Sequence, residues 1–204
     1  MIEENIGLVP HYLPTVSCFQ ALYRAEEIYW IVDGTYEKQS YRNRAYVLMA
    51  DGLYPLIIPI RHVGRKQLYK ETKIDYSVPW MRRHLRTMAT AYGQSPYYGA
   101  LAEVLVPIFQ QQPTFLCDLN IALLNGCFHF LQMKKTVKLV AGDKLLTCLD
   151  TFDARGLWHP KKASLLSTPL PDYQRLFPCN HPEKLSILDL LAMQGPYAHN
   201  LLGK

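Results

Sequence analysis

No stretch of this 204-residue chain reaches the ~18–20 apolar residues of a membrane-spanning helix. The longest apolar runs, such as Leu53 to Ile60, are of strand length and are interrupted by proline. The five cysteines, Cys18, Cys117, Cys127, Cys148 and Cys179, are odd in number and show no Cys-x-x-Cys spacing. That excludes a paired-thiol zinc site and a disulfide framework as readings, and it points to a reducing, cytoplasmic setting. The opening Met-Ile-Glu-Glu-Asn has neither the basic nor the apolar region of a secretory signal. Glycine, at 11 residues, is too scarce for a fibrous repeat, and a 49% hydrophobic content is too high for a disordered chain. Also missing are a Gly-x-Gly-x-x-Gly loop, a Walker loop, a Gly-x-Ser-x-Gly elbow and a His-Glu-x-x-His helix. The chemistry must therefore be sought in clusters.

Charge is the first cluster. The net charge of +5 is unevenly spread. Residues 38–86 hold eleven Lys and Arg against Asp51, Glu71 and Asp75, a local balance of +8 that leaves the rest of the chain at −3. A field of one sign gathered in one segment suits an anionic ligand, and equally a solvated basic face.

The pattern of elements predicts an α/β fold: a single domain over residues 1–204 with a mixed sheet, a β-hairpin and covering helices. Residues 6–10 read as a strand ending at Pro10. A capping box at Ser17 and Gln20 opens a helix carrying Phe19, Leu22, Tyr23 and Ala25. Tyr29 to Val32 is a strand closed by Asp33-Gly34. Two strand-like runs flank Asp51-Gly52 as a hairpin, and Pro55 and Pro59 place its second arm at a sheet edge. Pro79 opens a helix that runs to Gly93. Helices follow from Tyr98 to Phe109, with Pro107 inside, and from Thr114. Thr136 to Val140 alternates as a strand. A last helix spans Ser186 to Gly195, with Ser186 as cap and Asp189 in its first turn, both structural.

Four constellations carry candidate chemistry. Tyr36-Glu37-Lys38-Gln39-Ser40-Tyr41-Arg42-Asn43-Arg44 holds too many donors for a packed core. Arg42 and Arg44, two apart, would share a side of an extended chain and grip a phosphate or carboxylate. The alternative is a hydrophilic strand with local ion pairs. Trp80 and His84 share a helix face, so His84 is a candidate general base, or an ordinary hydrogen-bonded boundary residue. His11 and Tyr12 lie where the first strand ends, the usual place for ligands in α/β folds. Arg155, Trp158, His159, Pro160, Lys161 and Lys162 form a loop-like stretch of the kind that carries function. Cys117 and Cys127 fit the apolar face of a helix.

Together these motifs resemble the WbqC-like protein family. Pro10-His11-Tyr12-Leu13-Pro14 is similar to that family's Pro-x-Tyr-Leu-Pro opening. Tyr36-x-Lys38-Gln39-Ser40-Tyr41-Arg42-Asn43-Arg44 resembles its aromatic, Lys-x-Ser-aromatic-x-Asn-Arg motif. The Gly52 to Pro59 hairpin, Trp80 with His84, Tyr92-x-x-Ser95-Pro96-Tyr97, Leu116-x-Asp118-Leu119-Asn120 and the closing Leu185 to Leu191 with Gly195-Pro196 fall in the family's order. Val9 stands where members often have Gln, and Asp33-Gly34 where many have an aspartate pair. The Tyr-Leu-Ser-Gly segment of longer members is missing, so this resembles the shorter form.

The resemblance implies a bacterial cytoplasmic protein associated with O-antigen or other surface-polysaccharide biosynthesis, with an aminoacyl- or acyl-transfer role on a sugar. The expected ligand is an anionic or nucleotide-linked sugar substrate; no cofactor is indicated, no metal site is expected, and homo-oligomer formation stays open. In that reading His84 is catalytic, and His11, Tyr12, Lys38, Ser40, Arg42, Asn43, Arg44, Trp80, Ser95, Arg155 and Lys161 bind substrate, with Tyr12, Lys38, Asn43, Arg44 and His84 meeting in one cleft. A non-catalytic scaffold of a polysaccharide-assembly complex is the alternative, favoured by 14 Tyr and by the missing nucleophile–base motif. Nucleic acid is disfavoured as partner, because no nucleic-acid module is recognisable.

Overall fold

In the computed structural model, the described residues are 5–61, 66–140, 151–161 and 169–203. Arg65, Cys148 and Lys162 lie outside them. The fold is α/β. A four-stranded sheet has the order β5-β2-β1-β6, with β1 at Asn5–Leu8, β2 at Glu27–Ile31, β5 at Thr136–Val140 and β6 at Thr151–Asp153. All its pairings are parallel. The hairpin, β3 (Arg44–Met49) and β4 (Gly52–Ile57), is antiparallel and forms a sheet of its own. Helices α1 (Val16–Arg24), α2 (Trp80–Tyr92), α3 (Tyr98–Gln110), α4 (Leu116–Phe130) and α5 (Ile187–Gln194) surround them.

Helix α1 is the crossover between β1 and β2, and a parallel pair needs such a connection. Its cap is Thr15, not Ser17 as the capping-box pattern predicts. Thr15 follows Pro14 in extended conformation and accepts from the Cys18 amide at 3.2 Å. Ser17 instead lies in the first turn, where its Oγ accepts from Trp158 Nε1 at 3.1 Å. The tertiary contact with Trp158 decided between two hydroxyl residues, two apart and of similar capping strength.

The hairpin turn is also shifted by one residue. Met49 pairs with Gly52, so the two-residue loop is Ala50-Asp51 and Gly52 opens β4 with φ 119°. Only glycine takes that conformation without strain. Pro55, opposite Tyr46, is tolerated because β4 has a neighbour on one side only.

Ser186 caps α5, accepting from the Leu188 amide at 3.3 Å. Its hydroxyl also donates to the Leu13 carbonyl at 2.9 Å. Asp189, buried in the first turn of α5, accepts from the Tyr173 hydroxyl at 2.7 Å. One apolar core runs from Ile6 to Leu202 and takes in residues of both sheets and of helices α1 to α5. Among the described residues, no helix is long and apolar enough to cross a membrane.

Gly195 ends α5 with φ 54°, and a Cβ there would lie 2.3 Å from the Tyr97 ring. Gly195→Ala meets both backbone strain and a clash with a ring atom. It should lower stability by about 2–3 kcal/mol, read as a fall in the urea midpoint with an unchanged slope.

Candidate functional site

The segment Pro10 to Pro14 leaves the carboxyl end of β1 and is fixed from three sides. The Tyr12 amide donates to the Tyr41 carbonyl at 2.8 Å. The Tyr69 hydroxyl donates to the Pro10 carbonyl at 2.7 Å. Asn120, 0% exposed on α4, turns its Nδ2 to the Tyr69 hydroxyl at 2.7 Å, the Arg42 carbonyl at 2.6 Å and the Pro10 carbonyl at 3.3 Å. His11 and Tyr12 make separate sets of contacts.

On the Tyr12 side, the buried Tyr12 hydroxyl meets His84 Nδ1 at 2.9 Å. The rings stack 5.8 Å apart, and Trp80 stands edge-on 5.1 Å from His84. Burial lowers the His84 pKa to about 4; the Ile57 carbonyl opposes the shift and the Arg83 charge adds to it. His84 is therefore an uncharged imidazole at neutral pH. Together with Trp80 it lines an open cleft of about 360 Å³ between β4 and α2, shared with Tyr54, Ile57, Arg83 and Thr87. Tyr54, Ile57 and Val78, all lining this cleft, are 50%, 41% and 39% exposed.

On the His11 side lies most of the basic motif. His11 is near-buried, with its ring 5.8 Å from Tyr41 and Nδ1 3.7 Å from Cys18 Sγ. Burial, then the Arg42 and His159 charges, lower its pKa to about 3. Burial raises the Cys18 thiol, which stays protonated at neutral pH. Arg42 Nη1 donates to the Thr35 carbonyl at 2.7 Å, Nη2 lies 3.8 Å from Glu37, and the guanidinium sits 5.8 Å from the Tyr69 ring centre. His159 approaches the same Glu37 at 3.5 Å. Arg44 reaches the Tyr46 hydroxyl with Nη1 at 3.4 Å.

The remaining residues expected at the site are placed as follows. Ser40 acts within its own turn, donating to the Glu37 carbonyl at 2.7 Å and accepting from the Arg42 amide at 3.3 Å. Asn43 extends the hairpin, its Nδ2 donating to the Ile58 carbonyl at 2.9 Å while Oδ1 is buried without a partner. Lys38 and Lys161 are exposed. Arg155 forms a two-pronged pair with Asp153 at 2.9 and 2.7 Å. Ser95 closes the far end of α2, donating to the Tyr92 carbonyl at 2.5 Å. It lies eleven residues beyond His84, ~16 Å along a helix. The structure thus brings Tyr12, Trp80 and His84 together and sets His11 near Tyr41 and Arg42, while Arg44 stands across the hairpin from Ile57.

The sequence assigns no binding role to Arg83, Tyr54, Asn120 or the tyrosines around Arg44. One of these had a legible signal. Asn120 sits between Leu116, Leu119 and Leu123 in an apolar helix, and a polar side chain on such a face must find partners. Among the described residues no group of three or more His, Cys, Asp or Glu is arranged to hold a metal ion.

A parallel sheet with a separate hairpin, and a strand-end segment carrying Pro-His-Tyr-Leu-Pro against a Lys-Gln-Ser-Tyr-Arg-Asn-Arg turn, define an α/β protein with ligand-sized chemistry beside β1. The model of the WbqC-like protein family matches residues 10–163, and the chain belongs to that family. It is 30% identical over 123 residues to the uncharacterized protein Rv1507c of Mycobacterium tuberculosis (strain ATCC 25618 / H37Rv), covering 59% of this chain. The match spans about half, 53%, of that protein's length. No solved structure is significantly similar to the chain.

Two predictions follow from the geometry. Asn120→Ala strands the buried Arg42 carbonyl and should destabilise the fold by about 1–3 kcal/mol in urea unfolding. The second concerns pH. His11 and His84 titrate at about 3 and about 4 in the fold against 6.5 unfolded. As pH falls below 6.5, the unfolded chain takes up protons that the folded one refuses. Stability from the neutral rings is therefore full above about pH 7 and is lost progressively toward pH 3–4. Between pH 7.5 and pH 5 the two rings together should account for a loss of ~4 kcal/mol, absent in the His11→Gln/His84→Gln double variant.

Proposed function

We propose that the protein is a transferase of the aminoacyl or acyl type, acting on an anionic, sugar-linked substrate in bacterial surface-polysaccharide assembly, with its reacting end in the cleft between β4 and α2. The observation that carries the reading is a neutral imidazole, His84, held by Tyr12 at the wall of an open cleft that has an arginine beside it. In the tautomer whose Nδ1–H donates to the Tyr12 hydroxyl, Nε2 keeps its lone pair and takes the proton of a substrate hydroxyl. The Ile57 carbonyl favours the charged ring so formed. Tyr54 offers aromatic surface to the apolar face of a sugar ring. Arg83 supplies a planar donor fork for a phosphate or carboxylate. Membership of the WbqC-like family supports the setting.

The same exposed Tyr54, Ile57 and Val78 also support a second reading, a non-catalytic surface for a partner of an assembly complex. One set of variants separates the two. In thermal unfolding with a panel of nucleotide sugars and acyl donors, at least one ligand should raise the Tm of the wild type, and Arg83→Ala should abolish the rise. His84→Gln should retain the rise but lose ~100-fold or more in transfer rate. A panel without any shift, or His84→Gln cells with normal surface polysaccharide, would sink the enzymatic reading.

A further inference from the structure

Two partly buried arginines other than Arg44 meet a carboxylate: Arg42 with Glu37 and Arg175 with Asp189. No acid among the described residues comes within 4.0 Å of Arg44. Its Nε is buried without a hydrogen-bond partner, and Nη1 has only the 3.4 Å contact with Tyr46. A desolvated cation without a counter-charge is costly, and the cost is relieved when an anion arrives.

The surroundings are donors. Arg44 and Tyr46 share one face of β3, opposite the core-facing Ala45 and Val47. The Tyr46 ring stands edge-on to Tyr41 at 6.5 Å. The Arg44 charge bears on the hydroxyls of both Tyr36 and Tyr41, and Arg42 bears on Tyr36 as well. Burial nonetheless keeps these phenols protonated at neutral pH. The nearby acids are engaged: Glu37 with Arg42 and His159, and Glu183, which faces Tyr41, with His181 at 3.3 Å. A guanidinium ringed by phenolic O–H groups and short of an acceptor has the chemistry of an oxyanion site.

We propose that Arg44, with Tyr36, Tyr41 and Tyr46 around it, binds a single oxyanion group, carboxylate or phosphate, of a small molecule. It stands on Arg44's own surroundings and does not depend on the reading of the cleft.

The test titrates the full chain with inorganic phosphate and with acetate, against sodium chloride at matched ionic strength. At least one oxyanion should raise the Tm above the chloride control and move the Arg44 Nε–Hε NMR cross-peak. The apparent affinity should weaken tenfold or more in Arg44→Gln and stay within twofold in Arg83→Ala. A response to phosphate alone assigns a phosphoryl group, to acetate alone a carboxylate, and to both a general oxyanion site; each supports the proposal. Where Arg44→Gln does not fold, the wild-type cross-peak decides, together with Tyr46→Phe, which should weaken binding while retaining the fold. An unmoved cross-peak, a Tm rise no larger than with chloride, or binding that persists in Arg44→Gln overturns it. Loss of the anion effect in Arg83→Ala alone also overturns it, and would place the anion in the cleft.

Discussion

The carboxamide of Asn120 is the constraint on which the arrangement beside β1 depends. It sits in the core on α4 and draws together the Pro10 carbonyl, the Arg42 carbonyl and the Tyr69 hydroxyl. These three come from the strand-end segment, the basic motif and the turn after the hairpin. Neither the strand-end segment nor the basic motif is a regular element with its own ladder of hydrogen bonds, so their backbone groups need outside partners. A single buried donor satisfies two carbonyls and one hydroxyl, and in doing so sets the distance between the first strand and the basic motif.

Once that segment is fixed, its two adjacent ring side chains reach different neighbours. Tyr12 turns toward α2 and orients His84, while His11 turns toward Cys18, Tyr41 and Arg42. The two sides differ in electrostatic character. One holds a neutral imidazole in an open cleft. The other gathers guanidinium groups among phenols. Burial accounts for the first, since desolvation outweighs the neighbouring carbonyl at His84. An uncompensated cation at Arg44 is the mark of the second.

Several roles expected from the motif became structural on inspection of their bonds. Ser40 and Asn43 are polar and lie in the middle of the basic run, yet Ser40 ties its own turn and Asn43 lengthens the hairpin. Short polar side chains compete for nearby backbone groups, and a turn offers many. Arg42 also serves the backbone, through the Thr35 carbonyl. Arg44 differs because it begins a strand, where its neighbours' backbone groups are already paired across the hairpin. Lys38, next to a left-handed Gln39 at φ 57°, is carried outward by the turn.

The sequence by itself determined the α/β class, the hairpin, most helix spans and the family, because these rest on local periodicity, turn chemistry and the order of motifs. It also indicated that Tyr12 and His84, 72 residues apart, belong together. It did not determine which of Thr15 and Ser17 caps α1, where the hairpin turns, or that His11 and Tyr12 reach different neighbours. Those were decided by tertiary contacts: Trp158 on Ser17, the cross-strand register at Gly52, and Asn120 on the Arg42 and Pro10 carbonyls. The physical reason is that a spacing pattern records which residues share a face of one element, whereas a site is made where faces of different elements meet, and only the packed chain sets which face meets which.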